Sequence, residues 1–126
     1  MEGNITKEYL DEASREGIID LMDGDAEMIV DLIDTLIETS PDLLSELEEG
    51  ISGQNGSQIR DAAHALKSSN AQLGALDFAK LCLEAETMGK MDNLVNAEQV
   101  YQAIKNEFAK VEAALNSWKS DLMQQV

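Results

Sequence analysis

Cysteine, proline and histidine each occur only once in this chain of 126 residues, and each scarcity narrows what the protein can be. One cysteine cannot form an internal disulfide. A zinc site takes several cysteine, histidine or acidic ligands in a tetrahedral array, whereas the single histidine and single cysteine fall on different predicted helices. We therefore expect neither a disulfide nor a bound metal, and Cys82 is predicted to be a buried structural thiol.

Basic residues are scarce as well, with 9 lysines and arginines against 25 acidic residues and a formal charge of −16. A nucleic-acid backbone or an anionic membrane surface repels such a chain, so we expect protein partners, no nucleic acid and no membrane. The sequence also has no charged-then-apolar leader and no run of about 18 apolar residues. We expect a soluble, cytoplasmic protein.

Apolar residues recur at helical spacing, and the glycines and the single proline mark the breaks. A first short helix is predicted from about Thr6, as its cap, to Leu21. A second follows the turn at 23–25 and keeps its apolar phase beyond Pro41, which favours one kinked helix over a new helix starting at Ser40-Pro41.

A third helix is predicted at about 57–73, capped by Ser57 and ended by Gly74, and a fourth is predicted to stop at Gly89. In the last segment, apolar residues recur at alternating spacings of four and three. This pattern is typical of the buried seam of a long bundle helix. Its members are Ala97, Tyr101, Ile104, Phe108, Val111, Leu115, Trp118 and Leu122. The fold class predicted is all-α: an antiparallel up-down four-helix bundle with a short additional N-terminal helix, forming a single domain over 1–126 with a bundle core at about 25–122.

The histidine lies on the polar side of the third predicted helix. On a wheel of 100° per residue, Ser57, Arg60, Asp61, Lys67, Ser68 and Ala71 fall within about 60° of His64. The opposite face carries Ile59, Ala62, Leu66, Ser69 and Leu73. An amphipathic helix buries the second set, so the imidazole is predicted to face solvent among small or charged neighbours. An exposed neutral imidazole beside a cation meets the needs of a nucleophile toward phosphorus, although a lone surface histidine is more often only a solvated side chain.

The segment around His64 resembles the active-site motif of histidine-containing phosphotransfer (HPt) domains of bacterial multistep two-component phosphorelays. Six positions match in eleven residues: His64, Leu66, Lys67, Ser69, Leu73 and Gly74. The likeness extends upstream through 21–25 and downstream from Cys82 to Glu86. Two positions depart from the motif, because Ser68 replaces the usual glycine after the lysine and Asn70 replaces a small residue. Ser68 lies on the His64 face, where its extra atoms bear on transfer rate and partner choice.

The resemblance implies that His64 is phosphorylated by the aspartyl phosphate of one receiver domain and passes the group to the aspartate of another response regulator. The implied partners are receiver domains of hybrid sensor kinases and response regulators. The receiver brings Mg²⁺ and most of the catalysis, so this chain is a phosphoryl carrier rather than an enzyme and needs no cofactor of its own. We expect a free-standing monomer.

Several further residues are assigned site roles by the same resemblance. Lys67 is placed near the phosphoryl oxygens, and Glu86 near the other imidazole nitrogen, where a carboxylate would fix the tautomer. An unpaired boundary acid is the alternative for Glu86, and a solvated lysine is the alternative for Lys67. The candidate docking residues are Arg60, Ser68, Ala71, Ile18, Leu21, Met22 and Met28, and the apolar four could instead close the end of the core.

Two other functions fit a small acidic helical chain. A non-catalytic HPt-like adaptor would bind receiver or kinase domains without carrying phosphate, but it would not need Lys67 and Gly74 beside His64. An acyl-carrier-like protein would need an Asp-Ser-Leu type motif at a helix start, and the sequence has none. Phosphoryl transfer is therefore the predicted function.

Overall fold

The chain folds into six helices in the computed structural model, which describes residues 2–124, with side chains from residue 5 onward. The helices are α1 (Glu2–Tyr9), α2 (Glu12–Leu21), α3 (Ala26–Ser52), α4 (Gly56–Gln72), α5 (Leu76–Met91) and α6 (Ala97–Met123). The described residues contain no strand. None of these helices is both long enough and apolar enough to cross a membrane.

Helices α3 to α6 form the antiparallel four-helix bundle that the sequence predicts. Each packs on the next, and α6 closes the ring against α3, where Lys119 Nζ lies 2.6 Å from Asp34 Oδ1. All eight predicted seam residues of α6 are buried, because steps of four and three keep one side of a helix toward the core. The fold class is confirmed.

Helix α3 runs without a break through Pro41, as the continuous apolar phase predicts. Ile29, Ile33 and Leu36 before the proline and Leu44 and Leu47 after it are all buried on one face. Pro41 itself is exposed, so its ring does not enter the core. Burial of the shared apolar face on both sides of the proline offsets the loss of the one helical hydrogen bond that proline cannot donate.

The N-terminal segment contains two helices where the sequence predicted one. The break falls at Leu10 and Asp11: Leu10 is buried, and the Asp11 carboxylate accepts hydrogen bonds from the Ser14 amide and hydroxyl. Thr6 lies inside α1 and does not begin a helix. The Asp11 cap satisfies free amide groups at the start of α2, so ending α1 early costs little.

Helix α2 covers the end of the bundle where α4 stops. The Asp11 amide donates to the carbonyl of Gly74 at 2.8 Å, and the guanidinium of Arg15 lies 5.9 Å from the centre of the Trp118 ring. Gly74 has φ +96, and a Cβ there would lie 2.9 Å from the Asp11 nitrogen. Only glycine tolerates both the positive φ and the close approach of the Asp11 backbone. This explains why α4 ends here, as predicted.

Two other predicted helix boundaries are wrong. Asn55, not Ser57, caps α4, since its side chain accepts from the Gln58 amide at 3.1 Å. Gly89 does not stop α5, which continues to Met91 and ends at Asp92 in a left-handed conformation. Gly89 instead lies in the helix interior and is buried.

Candidate functional site

His64 projects from the middle of α4 into solvent. Its side chain is 60% exposed, whereas Ile59 and Leu66 on the opposite side of the helix are at most 1% exposed. The wheel prediction for the imidazole therefore agrees with the structure. A helix anchored by its buried face presents the ring on a rigid support, where a partner can reach it.

Glu86 of α5 holds one nitrogen of this ring. Its Oε2 lies 3.0 Å from His64 Nδ1, so the contact suggested by the resemblance is present. A carboxylate accepts, so Nδ1 carries the proton in this pair and the lone pair of a neutral ring is on Nε2. The arrangement thus orients the imidazole with its nucleophilic nitrogen away from α5.

Lys67, one turn after His64, is paired with the same carboxylate. Its Nζ lies 2.6 Å from Glu86 Oε1, so the two oxygens of Glu86 serve two different side chains. Hydrogen bonding to Lys67 holds the pKa of Glu86 below its ordinary value; burial opposes this, and the hydrogen bond with His64 adds to it. Glu86 is therefore a partly buried carboxylate, 18% exposed, rather than the unpaired boundary acid weighed as the alternative.

The remaining polar candidates lie on the His64 face of α4. Arg60 and Ser68 are exposed and Ala71 is half-buried. Arg60 Nε lies 3.1 Å from the carboxylate of its neighbour Asp61, an exposed pair that contributes little to folding free energy. These three side chains border the imidazole and are accessible to a docking partner.

The four apolar docking candidates lie elsewhere, at the end of the bundle. Ile18 is only 6% exposed and belongs to the core, as the alternative weighed for these four residues describes. Leu21 and Met28 are exposed at 73% and 51%, and Met22 is half-buried and packs against the core. The structure does not bring Met28 or Leu21 beside His64.

The register of α3 against α4 explains this separation. Asn70 bonds to Ser40, and Gly50 approaches Ile59, so the part of α3 level with His64 is near residue 45. Met28 lies about 17 residues earlier, or roughly 25 Å along the helix axis. Leu21 precedes the start of α3 and lies at the same distant end.

Two residues support the site from below in roles that the sequence did not indicate. Asn70 is fully buried and donates to the Leu66 carbonyl at 3.0 Å and to Ser40 Oγ at 3.3 Å, which joins α4 to α3. Its apolar-side position on the wheel was the available signal. Gly89 is the second, because a Cβ there would lie 2.5 Å from the Gly56 carbonyl oxygen of α4.

Cys82 is buried as predicted, on α5 one turn before Glu86. Burial raises the pKa of its thiol to about 12; the charge of Lys67 lowers it and that of Glu86 raises it. Within the described residues no group of three or more histidine, cysteine or acidic side chains is placed to hold a metal ion. The titratable groups paired at the site are the imidazole of His64, the carboxylate of Glu86 and the ammonium of Lys67.

Comparisons with known proteins identify the family and the fold. The Hpt domain family model matches residues 31–114, and the chain therefore belongs to the Hpt domain family, whose members carry phosphoryl groups in phosphorelays and work with receiver domains. The fold is similar to the crystal structure of histidine-containing phosphotransfer protein B (HptB) from Pseudomonas aeruginosa PAO1, with a TM-score of 0.83 and 22% sequence identity over 90% of this chain and 96% of that one. No curated protein matches the sequence significantly.

Proposed function

We propose that His64 accepts a phosphoryl group from the aspartyl phosphate of one receiver domain and passes it to the aspartate of a second, in the cytoplasm and as a monomeric single-domain carrier spanning 1–126. The observation that carries the proposal is the exposed imidazole whose Nδ1 is bonded to Glu86. A ring held in this tautomer keeps its Nε2 lone pair available for attack on phosphorus.

The first step forms the bond between Nε2 and phosphorus and breaks the bond between phosphorus and the aspartyl oxygen. The bonding electrons leave on the donor carboxylate, and the ring, still protonated at Nδ1, becomes a phosphoimidazolium cation. The Glu86 carboxylate lies 3.0 Å from that nitrogen and stabilises the positive charge.

The second step reverses these changes on another receiver. An aspartate oxygen attacks phosphorus, the bond to Nε2 breaks, and its electrons return to the ring, which is left neutral with the proton on Nδ1. Lys67 lies one turn from His64 and is 27% exposed, so its ammonium group can turn from Glu86 toward the phosphoryl oxygens. Lys67 therefore lowers the negative charge that an incoming carboxylate meets.

The test is transfer of labelled phosphate from a receiver aspartyl phosphate to this protein, beside the His64→Gln variant. We expect label that is stable in alkali, labile in acid and absent from the variant. If the wild-type protein binds several receivers encoded in its own genome but takes no label, the adaptor function would replace the carrier function proposed here.

Glu86 variants test the orientation of the ring in the same assay. Glu86→Gln keeps an acceptor oxygen for Nδ1 but removes the negative charge, whereas Glu86→Ala removes both. If the carboxylate acts as proposed, transfer slows roughly tenfold in Glu86→Ala and less in Glu86→Gln. Equal rates in all three proteins would exclude the role assigned to Glu86.

A further inference from the structure

Helices α4 and α5 come into direct backbone contact at Gly56 and Gly89. A Cβ added to Gly89 would lie 2.5 Å from the Gly56 carbonyl oxygen and 2.7 Å from the Arg60 nitrogen. A Cβ added to Gly56 would lie 2.7 Å from the Gly89 carbonyl oxygen. Real Cβ atoms essentially never approach other atoms closer than 3.0 Å, so the helices are nearer than any other residue allows at either position.

The atoms facing Gly89 cannot rotate out of the way. The two nearest are main-chain atoms of α4, and the third is Ile59 Cγ2 in the buried core. A methyl group at residue 89 would therefore move the helices apart by roughly 1 Å to reach ordinary van der Waals separation.

The same crossing sets the distance between His64 and its carboxylate. Glu86 stands three residues before Gly89 on α5, about 4.5 Å along the axis, and Arg60 stands one turn before His64 on α4. The bond between Nδ1 and Oε2 is 3.0 Å long. A separation of roughly 1 Å would take this pair beyond hydrogen-bonding distance.

We propose that Gly89, opposed by Gly56, is a positioning residue for phosphoryl transfer: the close crossing places the Glu86 carboxylate on His64 Nδ1 and so selects the tautomer with a free Nε2. Glycine is needed here for its lack of a side chain and not to end the helix, which continues for two more residues. The role of the tautomer in transfer rests on the proposed function, whereas the link from the crossing to the tautomer does not.

The experiment compares Gly89→Ala with Gly17→Ala in the full-length protein. Gly17 is a matched control, because it also lies inside a helix but a Cβ there meets nothing within 4 Å. The two ring nitrogens of His64 are followed by ¹⁵N NMR at a pH where the imidazole is neutral, with Glu86→Ala as the reference for complete loss of the contact. His64 is the only histidine, so the imidazole signals need no assignment to a residue.

We expect the Nδ1–H form to dominate in the wild-type protein and in Gly17→Ala. In Gly89→Ala the ratio of Nδ1–H to Nε2–H should fall roughly tenfold, toward that of Glu86→Ala. An unchanged ratio in folded Gly89→Ala would overturn the inference. If Gly89→Ala fails to fold, Gly56→Ala tests the same inference from the other helix. Its added Cβ would lie 2.7 Å from the Gly89 carbonyl oxygen, which is a less severe overlap.

Transfer from a labelled receiver then tests the consequence for function. The rate to Gly89→Ala should fall between threefold and tenfold, about as far as the tautomer population falls, and the rate to Gly17→Ala should match wild type. A changed tautomer ratio with an unchanged rate would refute positioning for transfer. Absence of label on the wild-type protein would refute the proposed function, while the NMR comparison would still decide whether the crossing sets the tautomer.

Discussion

Replacing Pro41 by alanine should stabilise this protein, and the sign of the effect distinguishes two arrangements of α3. Pro41 lies in the interior of a 27-residue helix and is exposed. It has no amide hydrogen, so the carbonyl of Ile37 receives no bond from the usual donor four residues later. Alanine supplies that donor and loses no buried contact.

The magnitude follows from three opposing contributions. Proline in a helix interior is less favourable than alanine by about 3 kcal/mol. Proline also restricts the unfolded chain, and losing that restriction subtracts about 0.4–1 kcal/mol. Water can replace part of the missing hydrogen bond beside an exposed residue such as Pro41, so we expect a net gain of about 1.5–2 kcal/mol. For a chain of this length that corresponds to a rise of roughly 6–8 °C in Tm.

Urea unfolding and thermal melting followed by circular dichroism measure the change. The neighbouring variant Asp42→Ala is the control, because Asp42 is also exposed in α3 and its replacement should alter the unfolding free energy by less than about 0.5 kcal/mol. If Pro41 instead began a new helix, it would occupy the first helical position, where proline is favourable. An unchanged or lowered Tm for Pro41→Ala would therefore refute a continuous α3.

Three other predictions concern the site and the core. Hydrogen bonding to Lys67 lowers the pKa of Glu86, so the ion pair stabilises the fold above the ordinary glutamate pKa of 4.5 and this contribution is lost as the pH falls through the lower folded value. The unfolding free energies of wild type and Glu86→Gln should therefore converge on acidification, and a difference that stays constant as the pH is lowered below 4.5 would contradict the coupling. Trp118→Ala should lose about 3–5 kcal/mol in urea unfolding because the ring is buried, and a loss below about 1 kcal/mol would show that the end of the bundle repacks. His64→Gln should unfold within about 0.5 kcal/mol of wild type, since the side chain is exposed, and a larger change would mean that lost labelling reflects lost structure.

The bundle helices could be predicted because their signal lies within each helix. The seam of α6 is correct at every position from Ala97 to Leu122, since a long run of steps of four and three is inconsistent with strand or loop. The outward direction of His64 follows from the same periodicity on α4. Local repetition of this kind needs no knowledge of neighbouring helices.

The errors lie where a distant segment decides the local structure. Gly89 resembles a helix terminator in sequence, but the backbone of α4 is what requires glycine there. The break before α2 depends partly on the bond from Asp11 to Gly74, 63 residues away. The distance of Met28 from His64 depends on the register of α3 on α4, which is fixed by packing between helices and is not visible in the sequence. The signal for the break was present in Asp11, since aspartate is one of the residues preferred at the N-cap of a helix.

The buried thiol of Cys82 gives the protein a built-in reporter of motion beneath the site. With a pKa of about 12, only about one thiol in 10⁵ is ionised at pH 7, so alkylating reagents react with the folded state very slowly. Reaction then requires the packing around Cys82 to open, and its rate measures how often this part of the core, one turn from Glu86, becomes accessible. A bound receiver that restrains α5 would slow alkylation, so mass spectra recorded over time can follow docking.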